Sequence, residues 1–261
     1  MIKKAADKAQ LSGTQSIERA LTLMREIAAH NRTGSRLLDL ATRTGLQRPT
    51  VHRMLKCLAL ENMVQQDPDR NRYYLGSMVF ELGLTAAARF NLREICHPAM
   101  NRIAEATGDT VFLTQRSGLD SVCVDRQEGA FPIKTFTLEI GMRRPLGVGT
   151  GSLAILSALS EEEVRRIING NAPRLTEYGL TTTSLHAQVK RAQKLGYAVR
   201  EMPTLAGVRS IGHALHNQGG TAFAALSIST VSSRMAEKRV VELATMLRGE
   251  ARLVEKQVAN R

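Results

Sequence analysis

The chain has 261 residues and 43% hydrophobic content, enough for one large domain or two ordinary ones with a buried core, which argues against intrinsic disorder. No apolar run approaches the roughly 18 residues of a transmembrane helix, and the lysine-bearing start Met1–Leu11 lacks a signal-peptide apolar region, so a cytoplasmic protein without membrane partners is expected. Its 36 basic against 24 acidic residues leave a net charge of +12 and an isoelectric point near 10.2, the footprint of a polyanion binder, although a basic surface also serves plain solvation.

The charge is unevenly spread. Residues 1–75 hold 13 of the basic and 7 of the acidic residues, a net of +6, while the other 186 residues share the remaining +6. Residues 1–14 read as a flexible tail. Over Ser16–Asn31, Ile17, Ala20, Leu21, Met24, Ile27 and Ala28 recur at helical spacing and predict a first amphipathic helix. Gly34 breaks it. Ser35 stands as the N-cap of a short second helix packed through Leu37, Leu40 and Ala41 and ended by Gly45. After the turn Leu46–Arg48, Pro49 opens a third helix that runs to about Asn62.

Val51, Leu55 and Leu58 take the inward side of this third helix, which turns Thr50, Arg53 and Lys56 outward together. Such a face suits the DNA major groove: a guanidinium donates two hydrogen bonds to guanine, and a threonine meets a thymine methyl or a phosphate. Arg48 and His52 fall to phosphates, joined by Ser35 and Arg36 at the second helix's start. Val64–Gln66 and Tyr73–Leu75 then predict two strands around the turn-forming tip Asp67–Arg72, a hairpin wing. Arg70 and Arg72 on that tip either follow a phosphate backbone or are ordinary solvated turn residues. Three helices with a tight turn between the second and third, plus a basic hairpin, make a winged helix-turn-helix over residues 15–76.

Residues 77–93 read as a linker helix, with Pro98 marking a break or kink between two helices. Beyond it, residues 94–261 read as a sensor domain. Val111–Gln115 and Ser121–Asp125 form a hairpin. Gly151–Leu159, Glu161–Asn169 and Ser184–Leu195 are helical stretches, Tyr197–Val199 and Ala222–Ser229 are strands, and Ser233–Asn260 is a long helix. Segregated strands and helices point to an α+β fold with an antiparallel sheet.

Two places there can take a small molecule. The run Gly147–Ser152 delivers a glycine-rich loop to a helix N-terminus, a setting that favours a carboxylate or phosphate but equally serves as a tight structural turn. It lacks the lysine ending of a nucleotide-binding loop. Ser227 and Ser229, two apart on a strand, put both hydroxyls on one sheet face near Gly207–Gly212, a pocket wall or an ordinary polar surface. Arg200 is either a carboxylate clamp or a solvated charge. No spaced catalytic set appears, and His213 with His216 lacks neighbouring metal ligands, so neither catalytic nor metal-binding residues are assigned and no cofactor is expected. Cys57, Cys96 and Cys123 form no C-x-x-C pair and read as reduced core thiols.

The run Ser16–Leu21, then Leu37–Ala41 with Gly45–Leu46, then Pro49–Leu55 with its T-V-H-R core, resembles the N-terminal domain of IclR-type transcriptional regulators. The resemblance extends through Tyr73, Leu75 and Gly76, Pro145–Leu156, Leu195–Tyr197, Gly207–Gly212 and Ala225–Ser229. It implies a winged-helix DNA reader joined by a linker helix to a GAF-like effector-binding and oligomerisation domain over residues 94–261, assembled as a homodimer or a dimer-of-dimers tetramer and free of enzymatic activity. It further implies a small organic-acid effector, a roughly palindromic double-stranded operator and control of catabolic genes. The family's pocket positions match Thr150, Gly151, Arg200, Ser210, Ser227 and Ser229, with the Ser152 amide beside them. Some relatives carry an acidic residue where this chain has Arg200 and a cysteine where it has Ser210, so their ligand does not transfer. The rival readings are an architectural DNA binder without a sensor and a metabolite-converting enzyme fused to a winged helix.

Overall fold

A computed structural model describes residues 14–87, 91–135, 137–201 and 206–260, which divide into two compact units, residues 1–90 and 91–261. The first unit holds α1 (Gln15–Ala29), α2 (Leu37–Thr44), α3 (Arg48–Leu60), β1 (Val64–Asp67), β2 (Arg72–Leu75) and α4 (Ser77–Ala87). Leu23 and Ile27 from α1, Leu40 from α2 and Val51 and Leu55 from α3 close a small core with Val64 and Tyr73 of the wing strands. The predicted stripe on α1 is only partly right. Ile17 and Leu21 are 60% and 49% exposed, because the first turns of α1 extend beyond this core. Gly45 adopts φ 68°, the left-handed turn that ends α2 and lets α3 begin three residues later.

The two compact units meet between residues 90 and 91, with α4 in the first. Pro98 breaks nothing: it lies inside α5 (Leu92–Thr107), and Arg93 belongs to that helix rather than to a helix begun at Ser77. Residues 88–90 of the expected linker helix lie outside the described residues. Cys57 is exposed on α3, whereas Cys96 and Cys123 are buried as expected. The tail, residues 1–14, falls outside the described residues except for Thr14.

The second unit is an α+β fold around a six-stranded antiparallel sheet in the order β5-β4-β3-β8-β7-β6. Its strands are β3 (Thr110–Ser117), β4 (Asp120–Glu128), β5 (Arg143–Pro145), β6 (Ala198–Glu201), β7 (Val208–His216) and β8 (Ala222–Val231). Alternation divides their side chains between two faces. One face, with Val111, Leu113, Ile211, Leu226 and Ile228, packs on α5 and on α9 (Glu237–Ala259) through Met100, Ile103, Leu243 and Leu247. A second core forms around α6 (Thr150–Ser157), α7 (Glu161–Leu175) and α8 (Thr182–Leu195), where Ile155, Leu156, Ile168 and Leu185 are fully buried. Asp109, with its side chain wholly buried, joins the end of α5 to the start of α9 by ion pairs with Arg234 at 3.2 Å and Arg239 at 2.7 Å.

Leu226 sits in the central strand β8 with no exposed surface. Truncating it to alanine is expected to cost about 2–5 kcal/mol of unfolding free energy, the usual range for a core leucine, as read by denaturant titration.

Candidate DNA interface and effector site

On α3, Arg53 and Lys56 point away from Val51 and Leu55, and both are exposed together with Arg48 and His52, while Thr50 at the flank is half-buried. Arg36, also exposed, is the residue that caps α2: its backbone N–H donates to Asp39 Oδ2 at 3.4 Å. Ser35 departs from its expected roles as cap and DNA contact. Its N–H and C=O pair with Tyr73 at 3.0 and 2.9 Å, and this strand-like pairing turns its side chain inward to 1% exposure. Ser35 therefore anchors the wing and does not reach a phosphate.

The two wing arginines also separate. Arg70 is exposed on a tip shaped by Asp67, whose Oδ1 accepts from the amides of Asp69 and Arg70 at 3.0 and 3.1 Å. Arg72 is half-buried, and its Nη1 donates to the Thr33 and Gly34 carbonyls at 3.0 and 2.8 Å. The sequence placed Arg72 at the free tip, but strand β2 begins at this residue and directs its guanidinium back to the α1–α2 turn.

In the second unit the loop before α6 meets the sheet face that the serines share. Gly151 and Gly212 bring the two together: an added Cβ on Gly151 would lie 3.0 Å from Thr114 Oγ1 and 3.1 Å from Ser227 Oγ, and one on Gly212 would lie 3.1 Å from the Thr150 carbonyl. Thr150, Gly151, Ser152, Ser210, Ser227 and Ser229 are all buried there. Ser210 and Ser229 share a hydrogen bond of 2.6 Å across β7 and β8. The Ser152 side chain is committed to the loop, accepting from the Gly147 and Gly149 amides at 3.2 and 2.9 Å. What α6 offers a ligand is the backbone N–H groups of its first turn, which have no acceptor within the helix.

Arg200 pairs in register with Ser210, so its side chain leaves the same face. Its Nη1 donates to Gln188 Oε1 at 2.8 Å and to the Gly147 carbonyl at 3.4 Å, and its buried Nε has no partner among the described residues. Burial, and then the charge of Arg144, pull its pKa down to about 10, which still leaves it a cation at neutral pH. Arg144 is the residue that sequence reasoning missed. It lies on the three-residue strand β5, and its guanidinium stands 5.9 Å from the Tyr178 ring centroid. Burial lowers its pKa also. A small cavity of about 10 Å³ is lined by Arg144, Thr114, Ser121, Cys123, Gly149 and Ser152, together with Leu138 and Met142. The signal that could have found Arg144 is the cationic pair Arg143–Arg144 immediately before the glycine-rich loop.

Among the described residues no group of His, Cys, Asp and Glu is arranged to hold a metal, and no helix is long and apolar enough to cross a membrane. Burial pushes the Cys123 thiol up to about 12, so the sulfur in the cavity wall is neutral.

A winged helix-turn-helix followed by an α+β unit with a polar, cationic pocket defines a DNA-binding transcriptional regulator that responds to a small molecule, and not an enzyme. The family model for the IclR helix-turn-helix domain matches residues 16–68, and that for the bacterial transcriptional regulator IclR C-terminal domain matches residues 84–256. The chain belongs to the IclR family. It is 29% identical over 250 residues to the acetate operon repressor of Salmonella typhimurium, covering 94% of this chain and 90% of that one. It is 28% identical to the HTH-type transcriptional repressor AllR of Escherichia coli K12 over 251 residues, 95% and 91% of the two chains. An IclR homolog of Microbacterium hydrocarbonoxydans, solved in complex with 4-hydroxybenzoate, superposes with a TM-score of 0.72 at 20% identity over 94% of this chain and 99% of that one.

The different settings of the wing arginines predict different variants. Arg72→Ala, which removes two charge-assisted hydrogen bonds, is expected to destabilise the first unit by about 1–2 kcal/mol, whereas Arg70→Ala leaves its unfolding midpoint unchanged in a denaturant titration.

Proposed function

We propose that the protein is a cytoplasmic, homo-oligomeric regulator that reads a roughly palindromic operator through α3 and the wing, and that a small organic acid bound at the α6 loop alters its operator affinity. The observation that carries the DNA assignment is the outward face of α3, where Arg53 and Lys56 lie exposed between Arg48, His52 and Thr50. Arg53 takes the base edge, Lys56 and Thr50 complete the groove contacts, and Arg36, Arg48, His52 and Arg70 meet phosphates. Half-sites about one helical turn apart follow from a dimer that presents two copies of α3.

For the effector, two half-buried cations and the buried serine hydroxyls near the loop before α6 support an anion. The carboxylate meets Arg200 or the Gly151 and Ser152 amides, with Ser210, Ser227 and Ser229 completing its hydrogen bonds and Thr150 bordering it. The relative solved with 4-hydroxybenzoate supports a carboxylate, and the two repressor relatives support repression. To change operator occupancy, the acid has to bind two arrangements of the protein with unequal affinity, because equal affinity shifts nothing.

The test is fluorescence anisotropy on labelled upstream DNA at fixed physiological salt, with excess random competitor and with or without a panel of small organic acids. Competitor-resistant binding altered by one acid is the expected result. Binding indifferent to sequence and to every acid would instead mark an architectural DNA binder. In the same assay Arg53→Ala is expected to lose about 1–3 kcal/mol of preference for the operator over random DNA, while Arg70→Ala weakens both alike and reduces the salt slope by about one. Equal losses on both DNAs for Arg53→Ala would refute base reading by that side chain. Arg200→Ala should weaken the active acid in calorimetry and leave operator binding intact; unchanged acid affinity would remove Arg200 from the site.

A further inference from the structure

The cationic residues of the second unit follow a pattern that two of them break. Where its arginines are buried or half-buried, they meet carboxylates: Arg116 pairs with Glu163 at 2.7 Å, Arg143 with Asp120 at 3.2 Å and Arg239 with Asp109 at 2.7 Å. Arg144 and Arg200 do not. Among the described residues no acidic side chain lies within salt-bridge distance of either, and their neighbours are a tyrosine ring, a glutamine and a backbone carbonyl. Burying a guanidinium without a counter-charge is unfavourable unless something else supplies the negative charge.

Geometry brings these two cations to one place from far apart in the fold. Arg144 is on β5 and Arg200 on β6, the two outer strands of the six-stranded sheet. In a flat sheet the outer strands would be about 24 Å apart, at roughly 4.8 Å per strand. Here both side chains converge on the loop before α6: Arg144 lines the cavity with Gly149 and Ser152, and Arg200 reaches the Gly147 carbonyl. They are close enough for the charge of Arg144 to depress the pKa of Arg200. Beside Arg144 the cavity wall carries the unpartnered Thr114 hydroxyl, and beside Arg200 in the sheet register stands Ser210, bonded to Ser229.

Resting on the reading of the loop before α6 as the effector site, we infer that the effector is a small dicarboxylate, one carboxylate taken by Arg144 in the cavity wall and the other by Arg200 at Gly147 of the same loop, a ligand that has to widen the present cavity of about 10 Å³ to enter. A monocarboxylate neutralises one guanidinium and leaves the other buried against a like charge. A single phosphate concentrates its charge in one group, whereas these cations approach from opposite edges of the sheet and are held separately, one at the Tyr178 ring and the other at Gln188. Two separated charges on a short carbon chain match two separated guanidinium groups.

The experiment is isothermal titration calorimetry of the full chain at constant ionic strength and pH 7.5. The probes are malonate, succinate, glutarate and adipate, the monoamide of each, and inorganic phosphate. One dicarboxylate is expected to bind at least tenfold more tightly than its own monoamide and more tightly than phosphate. That preference should collapse in Arg144→Gln and largely return in Arg144→Lys, which keeps the charge. A monoamide that binds as well as its parent acid, or phosphate that binds better than every dicarboxylate, overturns the inference while leaving an anion site in place. Silence from the whole panel overturns both the inference and the reading of the cavity as an organic-acid site. The wild-type comparison carries the test even if the Arg144 variants fail to fold.

Discussion

The second unit is organised by the close approach of the first turn of α6 to the sheet. An α-helix normally stands off a sheet by the length of its side chains, yet here hydrogen atoms replace side chains at Gly151 and Gly212, and backbone meets backbone. A methyl group at Gly151 would press on Thr114 and Ser227, and one at Gly212 on the Thr150 carbonyl. That contact sets the first turn of α6 against Thr114 and Ser227, next to a small cavity lined by Arg144, Thr114 and Ser152 among others. Everything chemical in this unit lies within reach of it: Ser210 and Ser229 bonded to each other, Ser152 closing the loop, and the two arginines arriving from the sheet's edges.

The same contact explains why the site was only half legible in the sequence. Ser227 and Ser229 are two residues apart, and a strand's alternation puts them on one face whatever the fold. That Ser210 and Arg200 share that face follows from the pairing of β6 with β7 and of β7 with β8, which no local pattern specifies. Arg144 was marked only by its place in a cationic pair ahead of the glycine-rich loop, and for a stronger reason its role was not legible. Its strand has three residues, too few for any periodicity, and its closeness to Arg200 arises from the course of the whole sheet.

The first unit read more easily because its contacts are local. Helix α3 shows its inward residues at spacings of four and three, and the turn before it is signalled by Gly45 and Pro49. The errors there have a common origin as well. Ser35 and Arg72 have the composition of DNA contacts, and both are spent on fastening the wing to the α1–α2 turn, through bonds spanning 38 residues of sequence or more. Likewise the outer turns of α1 look apolar in the sequence, yet it is Leu23, Met24 and Ile27 that find partners in the core while Ile17 and Leu21 stay exposed.

Charge links the two units in kind, though it works differently in each. On α3 the cations stand in water, where their attraction for a polyanion is long-ranged, screened by salt and largely indifferent to sequence, so specificity has to come from hydrogen-bond geometry at a base edge. Beside the loop before α6 the two guanidinium groups are half-buried and less screened, so that the charge of Arg144 adds to burial in lowering the pKa of Arg200. An anion that bridges them offsets both charges and ties the loop before α6 to both sheet edges at once. A ligand so placed is worth more to the arrangement that holds the arginines close than to any arrangement that separates them. Unequal affinity for two arrangements is what a regulator needs for its ligand to change what it does on DNA.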